Sequence, residues 1–505
     1  MKEDGDKILT EQKNFPSTGS HAMSSFETRQ EMARIGLPGY PWRAAVLLFV
    51  LVLAATLAGI LGRPPGQLAL FWPTNAMVLG LMVRNPGFNR PLPWAGAVLG
   101  YLVAGVLAGE PMFHNVVLTV ANLAGVATAT LLYGLVDEDD RLLHRPGAVL
   151  MLVAICGMAA CMAGVLGALA NPVLFNGTMI EGWLVWFVSE LVNYIAILPA
   201  FLAFERSDWR GWERRHIMLD WHMLVRLGPV LTAVAAAILA MMAAGPGAGA
   251  FPVPALLWAA IVYTRFQTAL LTLIYTVWLL IAIQEKFLAM GSLGALPYEL
   301  LSVRLAIALI TLGPVAVSCV TAMRNRLLTE MEVLANHDTL TGLLNRRAFF
   351  MKASAVLRDM ENSNAPMVFM MVDIDHFKSV NDRFGHAGGD TALALFAARA
   401  KPCLRQSDLF GRLGGEEFAI LLPGCPPERA QEIAEHLRRT IAERPLELEN
   451  GGVLDMTLSI GLAYASQGGA SLDQGLSVAD QALYDAKANG RNRMEVAEIC
   501  PAISG

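Results

Sequence analysis

Two glycines, two carboxylates and an aromatic stand together at Gly414-Gly415-Glu416-Glu417-Phe418, between two apolar, strand-like runs. Carboxylates at that density can hold a cation or take a proton, and the glycines let a ligand approach the main chain closely. The pattern predicts a hairpin with Glu416 and Glu417 at its tight tip. A solvated charged turn has the same composition, so the stretch gains meaning only from what stands beside it. Upstream, the apolar run from Pro366 ends in Asp373-Ile374-Asp375. Carboxylates at the C-terminal end of a buried strand mark the edge where open α/β sheets bind ligands. If that strand neighbours the hairpin, Asp373 and Glu416 meet across one gap. Hard oxygens from few protein groups, with phosphates supplying the rest, suit Mg²⁺. Two surface carboxylates that never meet are the plain alternative.

The segment after the strand, His376 to Asp390, is rich in polar groups. Lys378 can reach a phosphate. Asn381 and Asp390 offer the amide and carboxylate edges that read a guanine, and His386 lies on the same loop-to-helix turn. Near the C-terminus Lys487 and Arg491 are four apart at a helix end, a spacing that gives one cationic face able to hold a β/γ-phosphate. Cations there also simply offset the helix dipole. These elements need a sheet with helices to position them. Pro366 to Asp373 reads as a buried central strand. Residues 427–442 put Ala430, Ile433, Ala434, Leu437 and Ile441 on one helical face. Asp455 to Tyr464 alternates like a strand, and Leu476 to Asn489 reads as a helix stopped by Gly490.

Taken together, Asp338-Thr-Leu-Thr-Gly-Leu-Leu-Asn-Arg346, Val372-Asp-Ile-Asp-His-Phe-Lys378, Asn381-Asp-Arg-Phe-Gly-His386, Gly414-Gly-Glu-Glu-Phe418 and Ala482-Leu-Tyr-Asp-Ala-Lys487…Gly490-Arg-Asn-Arg493 resemble the GGDEF family of diguanylate cyclases. The resemblance implies an α/β palm-like, nucleotide-cyclase-like domain over 337–498. It implies a homodimer that joins two GTP into cyclic di-GMP and releases two pyrophosphates, with one GTP on each half. It further implies that Asp373, the Ile374 carbonyl and Glu416 bind Mg²⁺, with Mn²⁺ as an alternative. Glu416 or Glu417 would help activate the 3′-hydroxyl, and Lys378 would stabilise charge on the transferring phosphate. Asn381, His386 and Asp390 would form the guanine pocket, and Lys487 and Arg491 would hold the terminal phosphates. The third motif position is Glu where the family pattern has Asp, and both supply a carboxylate. Arg405 and Asp408, ahead of the glycine pair, resemble the family's RxxD inhibitory site for cyclic di-GMP. The other reading of those two residues is a surface ion pair.

The rest of the chain has a different character. Of its 505 residues 55% are hydrophobic and 16% charged, against about 25% charged in soluble domains, so a large part lies in a lipid bilayer. The net charge of −5 provides no basic face for duplex nucleic acid. The six cysteines have no metal-ligand spacing and read as free thiols in a reducing compartment. Residues 1–40 form a polar tail, with Met23 a second possible start, and 499–505 a short tail. Between 41 and 322 about ten apolar runs follow one another, near 44–61, 67–83, 92–108, 115–136, 148–170, 182–204, 224–244, 252–264, 268–284 and 302–322; the second is broken by Pro73 and the eighth is short, so eight or nine spans are the alternative. Arginines follow every second run: Arg84 and Arg90, Arg141 and Arg145, Arg206 to Arg215, Arg265, Arg324 and Arg326. Positive charge stays on the cytoplasmic side, so both termini are expected inside an all-α polytopic bundle.

Glu190, Asn193 and Asn122 lie within these runs. They are either ligand-sensing groups or helix-to-helix hydrogen bonds inside the bundle. Phe71-Trp-Pro-Thr-Asn75, the glycine-rich third run and Glu190-Leu-Val-Asn-Tyr-Ile-Ala-Ile-Leu-Pro199 resemble the integral-membrane sensor domains found before bacterial GGDEF domains. The resemblance implies a chain in a bacterial inner membrane with its C-terminal domain in the cytoplasm. Residues 323–336 read as a signalling helix, either a short coiled coil through Val320, Leu327 and Leu334 or an amphipathic connector. Two other classes remain in view. A non-catalytic cyclic di-GMP receptor would not need Asp373, Lys378 and Glu416. A transporter would show repeated halves with interrupted helices, and no such repeat is found.

Overall fold

The computed structural model describes residues 41–62, 71–205, 221–243, 245, 247–285, 287–288, 297–360, 365–443, 445–447, 453–466 and 470–499. The tail 1–40, the arginines Arg206, Arg210, Arg214 and Arg215, and the end of the chain from Cys500 lie outside the described residues. The chain divides into two compact units, Met1–Asn325 and Arg326–Gly505.

In the first unit a helix occupies each of the ten apolar runs: α1 Pro41–Leu61, α2 Thr74–Arg84, α3 Pro91–Leu107, α4 Met112–Tyr133, α5 Ala148–Leu174, α6 Met179–Leu202, α7 Trp221–Ala243, α8 Val253–Val262, α9 Arg265–Gln284 and α10 Pro297–Asn336. Six of them, α1, α4, α5, α6, α9 and α10, are long and apolar enough to cross a membrane. The apolar stretches of the other four are shorter. Capping boxes start two of the long helices, Thr178 with Glu181 at α6 and Thr264 with Gln267 at α9. Each satisfies two backbone donors that the helix start leaves without partners.

Helix α6 is the most enclosed of the six, with 72% of its apolar window buried. It is also the helix that carries Glu190 and Asn193, so these polar groups face protein and not lipid. The arginine-bearing connections gather at one end of the bundle. Arg84, closing α2, donates to the Phe201 and Leu202 carbonyls at the end of α6. Arg265, opening α9, donates to the Leu143 carbonyl beyond α4 and pairs with Glu205 beyond α6.

The boundary between the units falls inside α10, one continuous 40-residue helix that carries the last apolar run on through the signalling helix read at 323–336. The second unit is built on a six-stranded mixed sheet in the order β1-β3-β4-β2-β7-β8. Its strands are β1 Leu344–Asn345, β2 Met367–Ile374, β3 Leu409–Gly414, β4 Glu417–Pro423, β7 Leu458–Ala465 and β8 Met494–Glu498. Two short strands, β5 Leu446–Glu447 and β6 Val453–Leu454, pair separately. Central β2 is buried at all eight positions. Its even-numbered residues pack with α12 (Phe377–Ala400) and α13 (Pro427–Ala442). Its odd-numbered Met367, Phe369 and Met371 pack with α11 (Arg346–Met360) and α14 (Leu472–Ala488). Helix α13 buries the face read from the sequence, Ala430, Ile433, Ala434, Leu437 and Ile441. Helix α14 begins earlier than its apolar period suggested, because Ser471 caps it by accepting from the Gln474 N–H.

Candidate active site

The C-terminal end of β2 fixes the site. Beta strands alternate faces, so Asp373 continues the odd-numbered side of β2 toward α14. There Lys487 Nζ lies 2.8 Å from Asp373 Oδ2. On its other flank β2 runs antiparallel to β4, with Asp373 opposite Glu417. The sheet therefore makes the hairpin the neighbour of β2, and Glu416 stands in the turn beside it. Gly415 adopts φ +54°, a left-handed angle that favours glycine. An added Cβ at Gly414 or Gly415 would meet nothing within 4 Å, so open space stands over this backbone. Glu416 is half-buried and Glu417 is exposed. The inner carboxylate is the better placed for a cation and the outer one for a substrate.

Asp373 is only 5% exposed. Burial pushes its carboxyl above the usual aspartate range; Lys487 pulls it back, and the charges of Glu416 and Glu417 push it up again. Carboxylates that disfavour one another's ionisation are relieved by a cation between them. Asp373, Glu416 and the Ile374 carbonyl are hard oxygens and fit a divalent ion that also takes phosphate and water oxygens. Among the described residues no three His, Cys, Asp or Glu side chains gather as a closed metal cage.

The base-reading candidates sit on α12, which is two helices merged across a kink at Gly385, φ +72°. The kink folds the second segment back on the first. A Cβ at Gly389 would lie 2.0 Å from Asn381 Oδ1, so glycine lets the two turns touch and sets Asp390 beside Asn381. His386 and Asp390 are exposed, as is Lys378 on the first turn of the helix. Arg491 is exposed in the turn after α14. Its N–H donates to the Ala486 carbonyl, and both Arg491 and Asn492 have left-handed angles. Asp408 Oδ2 accepts from the Arg405 backbone N–H at 2.8 Å, and no ion pair joins their side chains among the described residues. The Arg405 side chain is exposed.

Two supports were not read from the sequence. Asp375, buried just past β2, accepts from Thr457 Oγ1 and Ser459 Oγ at 2.7 Å and from the Asn492 N–H at 3.0 Å. It ties the Arg491–Asn492 turn to the sheet. Thr457 just before β7 and Ser459 within it, polar groups beside apolar ones, were the available signal. The second support is Arg412, which donates to both Asp338 oxygens and to the Gly415 carbonyl. It holds the hairpin tip to the turn at the start of the domain.

Residues 335–493 match the family described as "Diguanylate cyclase, GGDEF domain". The chain is 27% identical over 485 residues to a probable diguanylate cyclase, DgcF, of Escherichia coli O157:H7, covering 94% of this chain and 97% of that one. It is 31% identical over 314 residues to the DgcF of Escherichia coli K12, covering 61% of this chain and 95% of the relative. Among solved structures, the GGDEF domain of DgcB from Caulobacter crescentus in complex with c-di-GMP is 31% identical, with 32% of this chain and 93% of that one covered and a TM-score of 0.30.

Proposed function

The chain belongs to the GGDEF family of diguanylate cyclases and is such an enzyme, and on that premise we propose that it joins two GTP into cyclic di-GMP with Asp373, Glu416 and Lys487 at the centre of the site. The observation that carries this reading is the convergence at the end of β2. There a nearly enclosed Asp373 feels the charges of Glu416 and Glu417 and holds Lys487 at 2.8 Å.

With one GTP on each half of a homodimer, the 3′-hydroxyl of each GTP attacks the α-phosphorus of the other across the two halves. The bond to the bridging oxygen breaks and pyrophosphate leaves. Glu416 or Glu417 accepts the hydroxyl proton, and the exposed position of Glu417 suits an incoming group. Lys378 meets the negative charge that develops on the transferring phosphate. Lys487 and Arg491 hold the terminal phosphates, and Asn381 and Asp390, with His386 along the wall, read the guanine. Enzymes of this family depend on a divalent cation. Mg²⁺, or Mn²⁺ in its place, would be held by Asp373, the Ile374 carbonyl and Glu416, and would offset phosphate charge.

Regulation occupies the rest of the chain. The first unit spans the bacterial inner membrane, with the arginine-rich end of the bundle and the catalytic domain in the cytoplasm. It sets the pairing of two catalytic domains through α10. Product binds at Arg405 and Asp408 and restrains the enzyme. Pyrophosphate release from GTP tests the core of this reading. It is expected with Mg²⁺, to stop on chelation, and to resume with Mg²⁺ or Mn²⁺. Release that continues after chelation would overturn the metal assignment.

A further inference from the structure

The polar groups buried in the first unit do not all find partners within the protein. A cavity of about 90 Å³ lies among α1, α3, α4 and α6, with Trp72, Tyr101, Glu110, Trp186, Ser189 and Glu190 in its wall. Glu190, 6% exposed, accepts from Asn75 Nδ2 at 2.8 Å with one carboxylate oxygen. Its other oxygen, Oε2, has no hydrogen-bond partner among the described residues, and neither has the buried Tyr194 hydroxyl. The indole N–H groups of Trp72 and Trp186 are also buried without acceptors among the described residues. Asn75 is fixed from its far side by the Tyr101 hydroxyl, so Glu190 is held in place by a network that leaves Oε2 unused. An unpaired buried carboxylate oxygen and two unpaired indole donors on residues that line one cavity are each costly when dry.

We propose that this cavity is a binding site for a short organic ammonium compound that also carries a hydrogen-bond acceptor, of the size and chemistry of a small amino alcohol. The ammonium would donate to Glu190 Oε2 between aromatic rings, which attract cations, and the acceptor would take an indole N–H. Size agrees: a cavity of about 150 Å³ holds benzene, so this one suits roughly four heavy atoms. Glu110, in the connection between α3 and α4, lines the same cavity. That connection is at the end of the bundle opposite the arginines, so the ligand enters from the non-cytoplasmic side. Ser189 adds a route outward. It accepts from Arg304 Nη1 at 2.7 Å, and Arg304 belongs to α10, the helix that continues into the catalytic unit. A ligand that shifts Ser189 therefore acts on α10. This last step rests on the first unit being regulatory, whereas binding itself does not.

The test is isothermal titration of the purified full chain in nanodiscs with ethanolamine, and with n-propanol as the probe lacking the ammonium. Saturable binding of ethanolamine but not of n-propanol is expected. Glu190→Gln, which keeps the acceptor for Asn75, should weaken it by about thirtyfold or more. Trp186→Phe, which keeps the ring and removes the N–H, should weaken it by about three- to tenfold. No saturable binding to the wild type, equal binding of n-propanol, or unchanged affinity in both variants would overturn the site. Ethanolamine binding that leaves the rate of cyclic di-GMP formation unchanged would support the site and count against membrane regulation, which separates the two readings.

Discussion

Lys487 Nζ lies 2.8 Å from Asp373 Oδ2, so a proposed phosphate-holding cation rests on a proposed metal ligand. Without nucleotide the lysine offsets the burial of the aspartate. A divalent ion held by Asp373 would meet that charge in its place and would free Lys487 for a phosphate.

The exchange is testable with Lys487→Met. Leaving Asp373 buried without its partner should lower stability by about 1–3 kcal/mol in the ligand-free protein. Mg²⁺ should then raise the melting temperature of the variant more than that of the wild type. KM for GTP should rise about tenfold or more, since a charge-assisted phosphate contact is lost. A variant with wild-type melting and KM would show that the pair has no role in either state.

Asp375 accepts three hydrogen bonds and ties the Arg491–Asn492 turn to the sheet, so its expected role is to position that turn. Asp375→Ala leaves those donors unmatched, and about 2–4 kcal/mol of stability should be lost. The kinetic signature should be a rise in KM for GTP with a smaller change in kcat. A fall in kcat at constant KM would instead place Asp375 at the chemistry.

The Asp338–Arg412 pair gives a pH-dependent stability term. Burial raises the Asp338 carboxyl, but bonds from the Thr341 hydroxyl and N–H and the Arg412 guanidinium outweigh it and hold the group below the usual range. A depressed folded value means stabilisation that is full above the unfolded value, about 3.9, and lost as pH falls through the folded one. Asp338→Ala should therefore be less stable than the wild type by about 2 kcal/mol at neutral pH. Denaturant midpoints of the two should converge as the pH falls through the lowered value of the folded Asp338. A gap that does not change with pH would mean the loss is packing, not charge.

Arg405→Ala probes the proposed brake. Because Asp408 bonds the Arg405 backbone N–H and not its side chain, the turn should survive, with stability within about 0.5 kcal/mol. Progress curves should lose their slowing by accumulated cyclic di-GMP. Inhibition of unchanged strength would remove Arg405 from the product site.

Much of the catalytic unit was legible because its signals are local. The buried strand ending at Asp373 is a plain apolar run, and the hairpin is marked by Gly414 and Gly415. The face of α13 follows a helical period residue for residue. Two things were not legible, because they depend on which segments meet in space. Nothing near Asp375 in sequence names Asn492, 117 residues away, as its partner. Nothing near Lys487 announces that it reaches Asp373, since that contact exists only once α14 packs on the odd-numbered face of β2. In the first unit the ten apolar runs all become helices, and two of the short ones are marked in the sequence: Pro73 interrupts the second run, and the eighth covers only 252–264. Six of the ten have the length and apolarity to cross unaided. Glu190 was visible as a polar residue in an apolar run, whereas its unpartnered oxygen and the cavity beside it required the packing of four helices.

The most direct measurement is nucleotide chromatography of GTP and Mg²⁺ incubated with the purified full chain and with its Asp373→Asn and Glu416→Gln variants. The expected result is one cyclic di-GMP and two pyrophosphates for every two GTP in the wild type. Each variant should fall by about 10²-fold or more while remaining folded. Cyclic di-GMP carried by the protein with no turnover of GTP, or turnover in Asp373→Asn equal to the wild type, would contradict the assignment of this site.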